Sequence, residues 1–94
     1  MEDQRLFYTS ETSFASYLLA ANLLAYRRAE LRGRSVEFAF DDPEGRGEDL
    51  RKNWRLGIAS LVHPRTMLAA RERLIDEVKR VSREKQEKGG AQEA

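Results

Sequence analysis

The clearest pattern along the chain is an alternation of apolar and polar residues over positions 35–41. Three large apolar residues fall on one side of this two-residue repeat: Val36, Phe38 and Phe40. A period of two places alternate side chains on opposite faces of a β-strand, and aromatic and β-branched residues favour such a pleated surface. The pattern therefore predicts a strand with one apolar face. The opposite face is predicted to be exposed to solvent and carries Glu37, Ala39 and Asp41.

Two elements are predicted before this strand. Residues 5–9 form a short aromatic and β-branched run, which is typical of a strand. Apolar residues then recur at helical spacing from Phe14 to Leu24. Alanine and leucine, which dominate that stretch, are strong helix formers, so it predicts a buried first helix.

Residues 26–33 allow two interpretations. By propensity alone, the first helix could continue to Leu31 and end at Gly33, because glycine readily adopts the left-handed conformation that follows a helix. Alternatively, residues 24–30 form a strand that pairs with a strand over residues 34–41. We favour the second interpretation, a β-hairpin.

The hairpin has a predicted register. Residues 31–33 would form a three-residue loop with glycine at its last position, which is a common hairpin connection. Glu30 would then pair with Arg34. The same register would place three residues of the predicted strand 24–30 on the face of the apolar trio: Leu24, Tyr26 and Arg28.

The stretch after the hairpin predicts a loop and then a second helix. Residues 41–47 contain Asp-Pro followed by two glycines, which is turn chemistry. Residues 48–49 are acidic, as is favourable in a first helical turn. Apolar residues recur at helical spacing over 50–61, which predicts a helix along this stretch. Alternatively, Gly57 ends the helix and residues 58–62 are extended.

The last helix is predicted to begin near Pro64, since proline suits the first helical position. Its apolar pattern continues to Val81. Residues 84–94 are polar and contain Gly89-Gly90, so we interpret them as a disordered tail. The predicted domain organisation is one globular domain over residues 1–83 followed by this tail.

These elements predict an α+β fold in the order β-α-β-β-α-α. The sheet would be small, three-stranded and mainly antiparallel, with the helices on one face. The predicted strands are residues 5–9, 24–30 and 34–41. The alternative is a mostly helical protein with only two strands.

A set of core and turn residues spans positions 6–80: Tyr8-Thr9, Leu18-Leu19-Ala20, Val36-x-Phe38-x-Phe40-Asp41, Leu50, Trp54, Gly57, Val62-x-Pro64 and Leu74. In this order they resemble a family of small uncharacterised domains encoded by phages and bacteria. The resemblance implies a strand-helix-hairpin-helix-helix order and brings no established activity. The family pattern has a glycine just after the first helix and an acidic residue before the proline. Those places here hold Tyr26 or its neighbours and His63.

The amino-acid composition indicates the cellular compartment and argues against a membrane partner. The 94 residues include no cysteine, which excludes a disulfide framework and fits a reducing compartment. No apolar run is long enough to span a bilayer, and the polar start Met1–Gln4 is unlike a secretory signal. We therefore expect a cytoplasmic protein without a membrane partner. The formal net charge is only +1, although residues 1–45 carry −3 and residues 46–94 carry +4.

Candidate chemistry is sparse. His63 is the single histidine, and without cysteine it cannot assemble a typical zinc site, so we interpret it as flanking the helix at Pro64. The acidic residues 41–44 lack the spacing of a calcium loop. Gly45-Arg46-Gly47 lacks the spacing of a phosphate-binding loop and is interpreted as a flexible loop. With no catalytic group of residues in view, we predict no enzyme activity, no cofactor and no metal.

The hairpin carries the most distinctive charged group: Arg27, Arg28, Arg32 and Arg34. Guanidinium groups bind phosphate well, and a basic ribbon can follow a nucleic-acid backbone. Two functions are therefore considered. The leading hypothesis is a non-enzymatic accessory or adaptor protein that binds another protein or a second copy of itself, as in a homodimer. The alternative is a nucleic-acid-binding protein that uses this arginine-rich hairpin.

Overall fold

The computed structural model describes residues 5–59 and 61–93, with side chains described as far as residue 84. Within these residues the elements are β1 (Leu6–Thr9), α1 (Thr12–Ala20), β2 (Ala25–Arg32), β3 (Ser35–Asp41), α2 (Gly47–Arg55) and α3 (Pro64–Glu93). The α+β class and the order β-α-β-β-α-α are therefore as predicted.

The strand with the apolar repeat is the centre of the sheet. The strand order is β1-β3-β2, and β3 pairs antiparallel with both neighbours. Phe38 and Phe40 are 1% and 0% exposed, and Val36 is half-buried, so the predicted apolar face is confirmed.

The helices pack on this apolar face. Residues from β1, α1, β3 and α3 share one core cluster, which includes Phe7, Phe14, Leu18, Phe38 and Leu74. Helix α2 contributes Trp54, whose ring stacks on Tyr17 with centroids 4.9 Å apart and lies 6.0 Å from Phe14. Trp54 is thus part of the packing between α1 and α2.

The opposite face of β3 is less exposed than predicted. Ala39 is fully buried, whereas Glu37 and Asp41 are half-buried. Ala39 lies directly between Tyr8 of β1 and Arg28 of β2 in the pairing register. Because alanine is short, these two longer cross-strand neighbours shield it from solvent.

The hairpin is present, but its predicted loop was wrong. Arg32 pairs with Ser35, which leaves a two-residue loop of Gly33 and Arg34. Gly33 has φ +66°, and Arg34 does not have a positive φ. A two-residue loop with a positive φ at its first position matches the twist of paired strands and favours glycine there.

The prediction that Arg28 lies on the apolar face was wrong, because β2 contains a β-bulge. The register shifts between Tyr26 and Arg28, so that Tyr26 pairs with Phe40 and Arg28 pairs with Ala39. Tyr26 therefore lies on the apolar face as predicted. Arg28 lies on the opposite face, because the extra residue Arg27 reverses the alternation at that point.

Helix α1 ends earlier than the apolar pattern suggested. Asn22 has φ +56°, its N–H donates to the carbonyl of Leu19, and the N–H of Leu23 donates to the carbonyl of Leu18. This pair of bonds is the Schellman helix end, which requires a left-handed residue and accepts asparagine as well as glycine. The helix therefore ends at Ala20 rather than at Leu24, and residues 21–24 connect it to β2.

Gly57 ends α2 in the same way. It has φ +78°, and its N–H and that of Ile58 donate to the carbonyls of Trp54 and Asn53. The helix begins again at Pro64, as predicted, and α3 extends through Glu93. Residues 84–94 were predicted to form a disordered tail. The side chains of all but the first of them lie outside the described residues, so the tail stays a prediction.

Candidate interaction surfaces

The sheet face opposite the helices, called the outer face below, is lined mainly by charged side chains. None of the described helices covers it. Its members surround Tyr8 and Ala39 and include Arg28, Glu30, Arg32, Glu37 and Asp41. This is where the structure brings most of the predicted arginine group together.

Three of the four arginines are paired with carboxylates, and their side chains are 44–49% exposed. The pairs are Arg27 Nη1 with Asp41 Oδ2 at 3.3 Å, Arg28 Nη2 with Glu30 Oε2 at 3.2 Å, and Arg32 Nε with Glu37 Oε1 at 3.5 Å. The guanidinium of Arg32 also lies over the ring of Tyr8, 3.8 Å from its centroid. The pairing neutralises the positive charge that the sequence suggested for this ribbon.

Arg34 is different because it lies in the hairpin loop. It is exposed, and it makes no ion pair with any of the described residues. Affinity for a nucleic-acid backbone grows with the number of phosphates that basic side chains neutralise, because each one releases bound counterions. A single exposed guanidinium therefore adds little affinity. The structure therefore leaves the arginine group with a single uncompensated charge at its tip.

The two free edges of the sheet are poorly suited to further strand pairing. Strand β1 has four residues, and β2 carries the bulge at Arg27 together with charged side chains. Short, bulged and charged edges are common ways in which proteins avoid edge-to-edge association. A homodimer formed by strand addition is therefore disfavoured at both edges.

The second candidate surface is apolar. Residues 56–68, called the apolar segment below, connect the end of α2 to the first turns of α3. They contain four of the five large apolar side chains that are exposed among the described residues: Leu56 at 63%, Ile58 at 66%, Leu61 at 101% and Leu68 at 58%. The fifth, Leu31, is only 37% exposed and lies in β2. Exposed apolar groups concentrated in one segment are typical of protein interaction sites.

The exposure of this segment has a local cause. After a Schellman helix end, the residue at the position of Ile58 usually packs against an apolar residue three or four places before the helix end. Here those places hold Asn53 and Lys52, so Ile58 has no apolar partner within its own helix end. Ala59 and Val62 are instead half-buried and pack against the core, whereas Ile58 and Leu61 beside them are exposed.

The sequence allows two interpretations of this stretch, a longer second helix or a helix that ends at Gly57. The helical spacing of Leu50, Trp54, Ile58 and Leu61 suggested that all four shared a buried stripe. Because α2 ends at Arg55, only the first two of them pack against the core. The alternative, that Gly57 ends the helix, is therefore confirmed.

The acidic loop is structural rather than a free carboxylate cluster. Asp42 is buried, and its two carboxylate oxygens accept the backbone N–H groups of Arg46 at 2.7 Å and Gly47 at 2.8 Å. These bonds satisfy donors at the start of α2. An open cleft of about 310 Å³ runs beside this loop, but both of its aspartates, Asp41 and Asp42, already have partners.

His63 also has a structural partner. Its Nδ1 accepts the backbone N–H of Arg65 at 3.0 Å, which caps the start of α3 and agrees with its interpretation as a helix-flanking residue. Among the residues that the structure describes, no group of three or more His, Asp or Glu side chains is arranged to hold a metal ion.

One polar contact joins β2 to α3. The hydroxyl of Tyr26 donates to Glu77 Oε1 at 3.2 Å, and Arg80 donates to the same oxygen at 3.1 Å. Burial, together with the negative charge of Glu77, raises the pKa of Tyr26 well above its ordinary value of 10.0. The hydrogen bond from Arg80 is the main cause that lowers the pKa of Glu77. Both shifts follow from packing and pairing, so we interpret this contact as a clamp between the sheet and the helix.

The clamp predicts an alkaline loss of stability. A tyrosine whose pKa is raised in the folded state binds its proton more tightly when folded, so its contribution is complete below pH 10 and declines above it. Replacing Tyr26 with phenylalanine is expected to lower the free energy of unfolding by about 1 kcal/mol at pH 7, because the bond to Glu77 is lost. This difference should shrink as the pH rises above 10. Urea unfolding of both proteins across pH 7–11 measures it, and parallel pH profiles would contradict the prediction.

Comparison with known protein families, with curated proteins and with solved structures found no match for this chain. The resemblance to small phage- and bacteria-encoded domains therefore stays a prediction. Among the described residues, no helix combines the length and the apolar character needed to cross a membrane.

Proposed function

We propose that this chain is a non-enzymatic accessory or adaptor protein that binds another protein through the apolar segment. The observation that carries the proposal is the exposure of Leu56, Ile58, Leu61 and Leu68 within thirteen residues. We place this activity in the cytoplasm, on the ground that the chain contains no cysteine.

Energetics support a role for this exposure. Full burial of a leucine or isoleucine side chain is favourable by about 1.5–3 kcal/mol relative to exposure in water. Folding gains only part of this energy for Leu56, Ile58 and Leu68, which stay 58–66% exposed, and none for the fully exposed Leu61. A partner that covers the four side chains gains the remainder, so binding accounts for apolar residues at these exposed positions better than packing within the domain does.

The non-enzymatic part of the proposal rests on how the candidate polar groups are used. Asp41 pairs with Arg27, Asp42 caps α2, His63 caps α3 and Glu77 pairs with Arg80. Each group therefore has a structural partner in place of a free face toward a substrate.

The proposal predicts that two surface substitutions abolish partner binding without unfolding the domain. The variant is Ile58→Ser/Leu61→Ser, and both positions are exposed, so the free energy of unfolding should change by less than about 0.5 kcal/mol at each site. Cross-linking in native cells followed by mass spectrometry, together with sedimentation velocity of the pure protein, measures hetero- and self-association. The wild type is expected to form one specific complex that the variant loses.

The control is Leu31→Ser, which makes the same leucine-to-serine change as at Leu61 but at the far end of β2. It should retain the complex. If the wild type, the double variant and this control associate with the same proteins to the same extent, or if none of them associates specifically, the proposed function is wrong.

Nucleic-acid binding remains the alternative, with Arg34 as the residue that favours it. A salt-titrated binding assay against single- and double-stranded oligonucleotides distinguishes the two functions. Affinity that falls steeply with salt and weakens on Arg34→Glu would support the alternative. The ion pairs of Arg27, Arg28 and Arg32 are the reason that we rank it second.

A further inference from the structure

The chemistry around the apolar segment points to one kind of protein partner. From Leu50 to Arg71 the sequence contains five basic residues and no acidic residue: Arg51, Lys52, Arg55, Arg65 and Arg71. The nine residues immediately before it, 41–49, contain five acidic residues and one basic residue. The apolar segment is therefore embedded in a stretch of one sign of charge.

Not all of this charge is available to a partner. Arg51 is paired with Glu48, and Arg55 is paired with Glu11. The other three basic residues are exposed and make no ion pair with any residue described by the structure: Lys52, Arg65 and Arg71. They precede, interrupt and follow the exposed apolar side chains along the chain.

We propose that the apolar segment binds an acidic amphipathic segment of a partner protein, an inference that rests on the proposed function. The apolar side chains of the partner would cover Ile58, Leu61 and their neighbours. Its carboxylates would meet Lys52, Arg65 and Arg71, which are the basic residues of this stretch that make no ion pair with a described residue. Charge complementarity of this kind gives specificity and raises the association rate, while the apolar contact supplies affinity.

The same chemistry fits a protein better than an anionic membrane. Leu56 follows the end of α2, Ile58 and Leu61 lie in the connection, and Leu68 lies in α3. These residues therefore do not form the apolar face of a single amphipathic helix. Peripheral membrane binding needs such a face, and a basic residue near an anionic surface adds only about 1 kcal/mol. A protein can instead accommodate each projecting side chain in its own pocket.

A binding selection tests the inference. The probe is a yeast-displayed library of random 16-residue peptides, selected separately on the wild type and on Ile58→Ser/Leu61→Ser. Peptides enriched on the wild type alone are expected to combine Asp and Glu with Leu, Ile, Phe or Trp. The affinity of these peptides should fall by about tenfold or more on the double serine variant, because the apolar contacts of two side chains are lost.

Charge reversal provides the matched control. Lys52→Glu/Arg65→Glu is expected to weaken the selected peptides by about tenfold at low salt and by less at high salt. Lys79→Glu/Arg83→Glu places the same charge change on exposed sites of α3 outside the apolar segment and should have little effect. Unfolding measurements on each variant establish that the domain remains folded.

The outcomes separate the two proposals. Peptides that need Ile58 and Leu61 but are neutral or basic would overturn the acidic partner and leave the proposed function standing. A selection that yields no peptide dependent on the apolar segment would overturn both. Tighter binding to phosphatidylserine-containing vesicles than to any selected peptide, with the same dependence on Ile58 and Leu61, would overturn the inference in favour of a membrane surface.

Discussion

Replacing Phe38 with alanine is expected to lower the free energy of unfolding by about 3–5 kcal/mol. Its ring is 1% exposed, and its cross-strand neighbours are Thr9 and Ala29, which are both small. The ring belongs to the same buried core cluster as Leu18 of α1 and Leu74 of α3, on the face of the sheet where the helices pack. Small neighbours on the strands cannot move in to fill the void, so a cavity would remain.

The loss is large for a domain of this size, whose total stability is about 5–15 kcal/mol. Urea unfolding at pH 7 measures it, with the expectation that the midpoint falls sharply while the slope changes little. Glu37→Ala is the control one position away, on the outer face. Its ion pair with Arg32 is half-exposed, so its removal should cost at most about 1 kcal/mol. If Glu37→Ala is the more damaging change, the assignment of the two faces of β3 is wrong.

Periodicity was sufficient to predict the sheet, because burial of one face constrains every second residue of a strand. Val36, Phe38 and Phe40 therefore identified β3 and the side on which the helices lie. The same argument could not predict Ala39, because its burial comes from Tyr8 and Arg28 on neighbouring strands. Shielding across strands depends on which residues of neighbouring strands are paired, and the sequence of one strand does not specify this register.

Helix ends were harder to predict than helix existence. Apolar spacing continued past the true ends of both α1 and α2, and one left-handed residue stopped each helix. Gly57 was considered as a stop, whereas Asn22 was not, since asparagine adopts this conformation less often than glycine. The position of these stops is decided by backbone hydrogen bonds that compete with continuation of the helix.

The candidate surfaces follow from these local details. A register shift at Arg27 decides that Arg28 faces outward, and the Gly33 turn decides that Glu37 is within reach of Arg32. Without that register, the arginines could be predicted as a group but their carboxylate partners could not. The apolar segment likewise follows from the helix end at Gly57, since a longer α2 would have turned Ile58 and Leu61 toward the core.

Gly47 is the clearest example of a residue whose role could not be predicted from the sequence, because its sequence context suggested a flexible loop. The structure places it, buried, at the start of α2, where its N–H donates to Asp42 and its Cα faces the ring of Phe7. A Cβ added to Gly47 would lie 2.2 Å from Phe7 Cδ1 and 2.4 Å from Phe7 Cγ. The Phe7 ring also packs against Phe14 in a T-shaped arrangement, with centroids 6.1 Å apart. The absence of a side chain is thus required by packing.

Gly47→Ala is therefore expected to lower the free energy of unfolding by about 1–3 kcal/mol, as overpacking does in a filled core. Helix propensity alone predicts the opposite sign, since alanine is favoured over glycine by about 1 kcal/mol within a helix. The sign of the change in urea unfolding thus decides between a steric role and a flexible loop. A double-mutant cycle with Phe7→Ala, measured in a stabilising osmolyte, identifies the cause. In that background the clashing ring is gone and the added methyl partly fills its space, so Gly47→Ala should become neutral or stabilising. An equal loss in both backgrounds would show that Phe7 is not the source of the constraint.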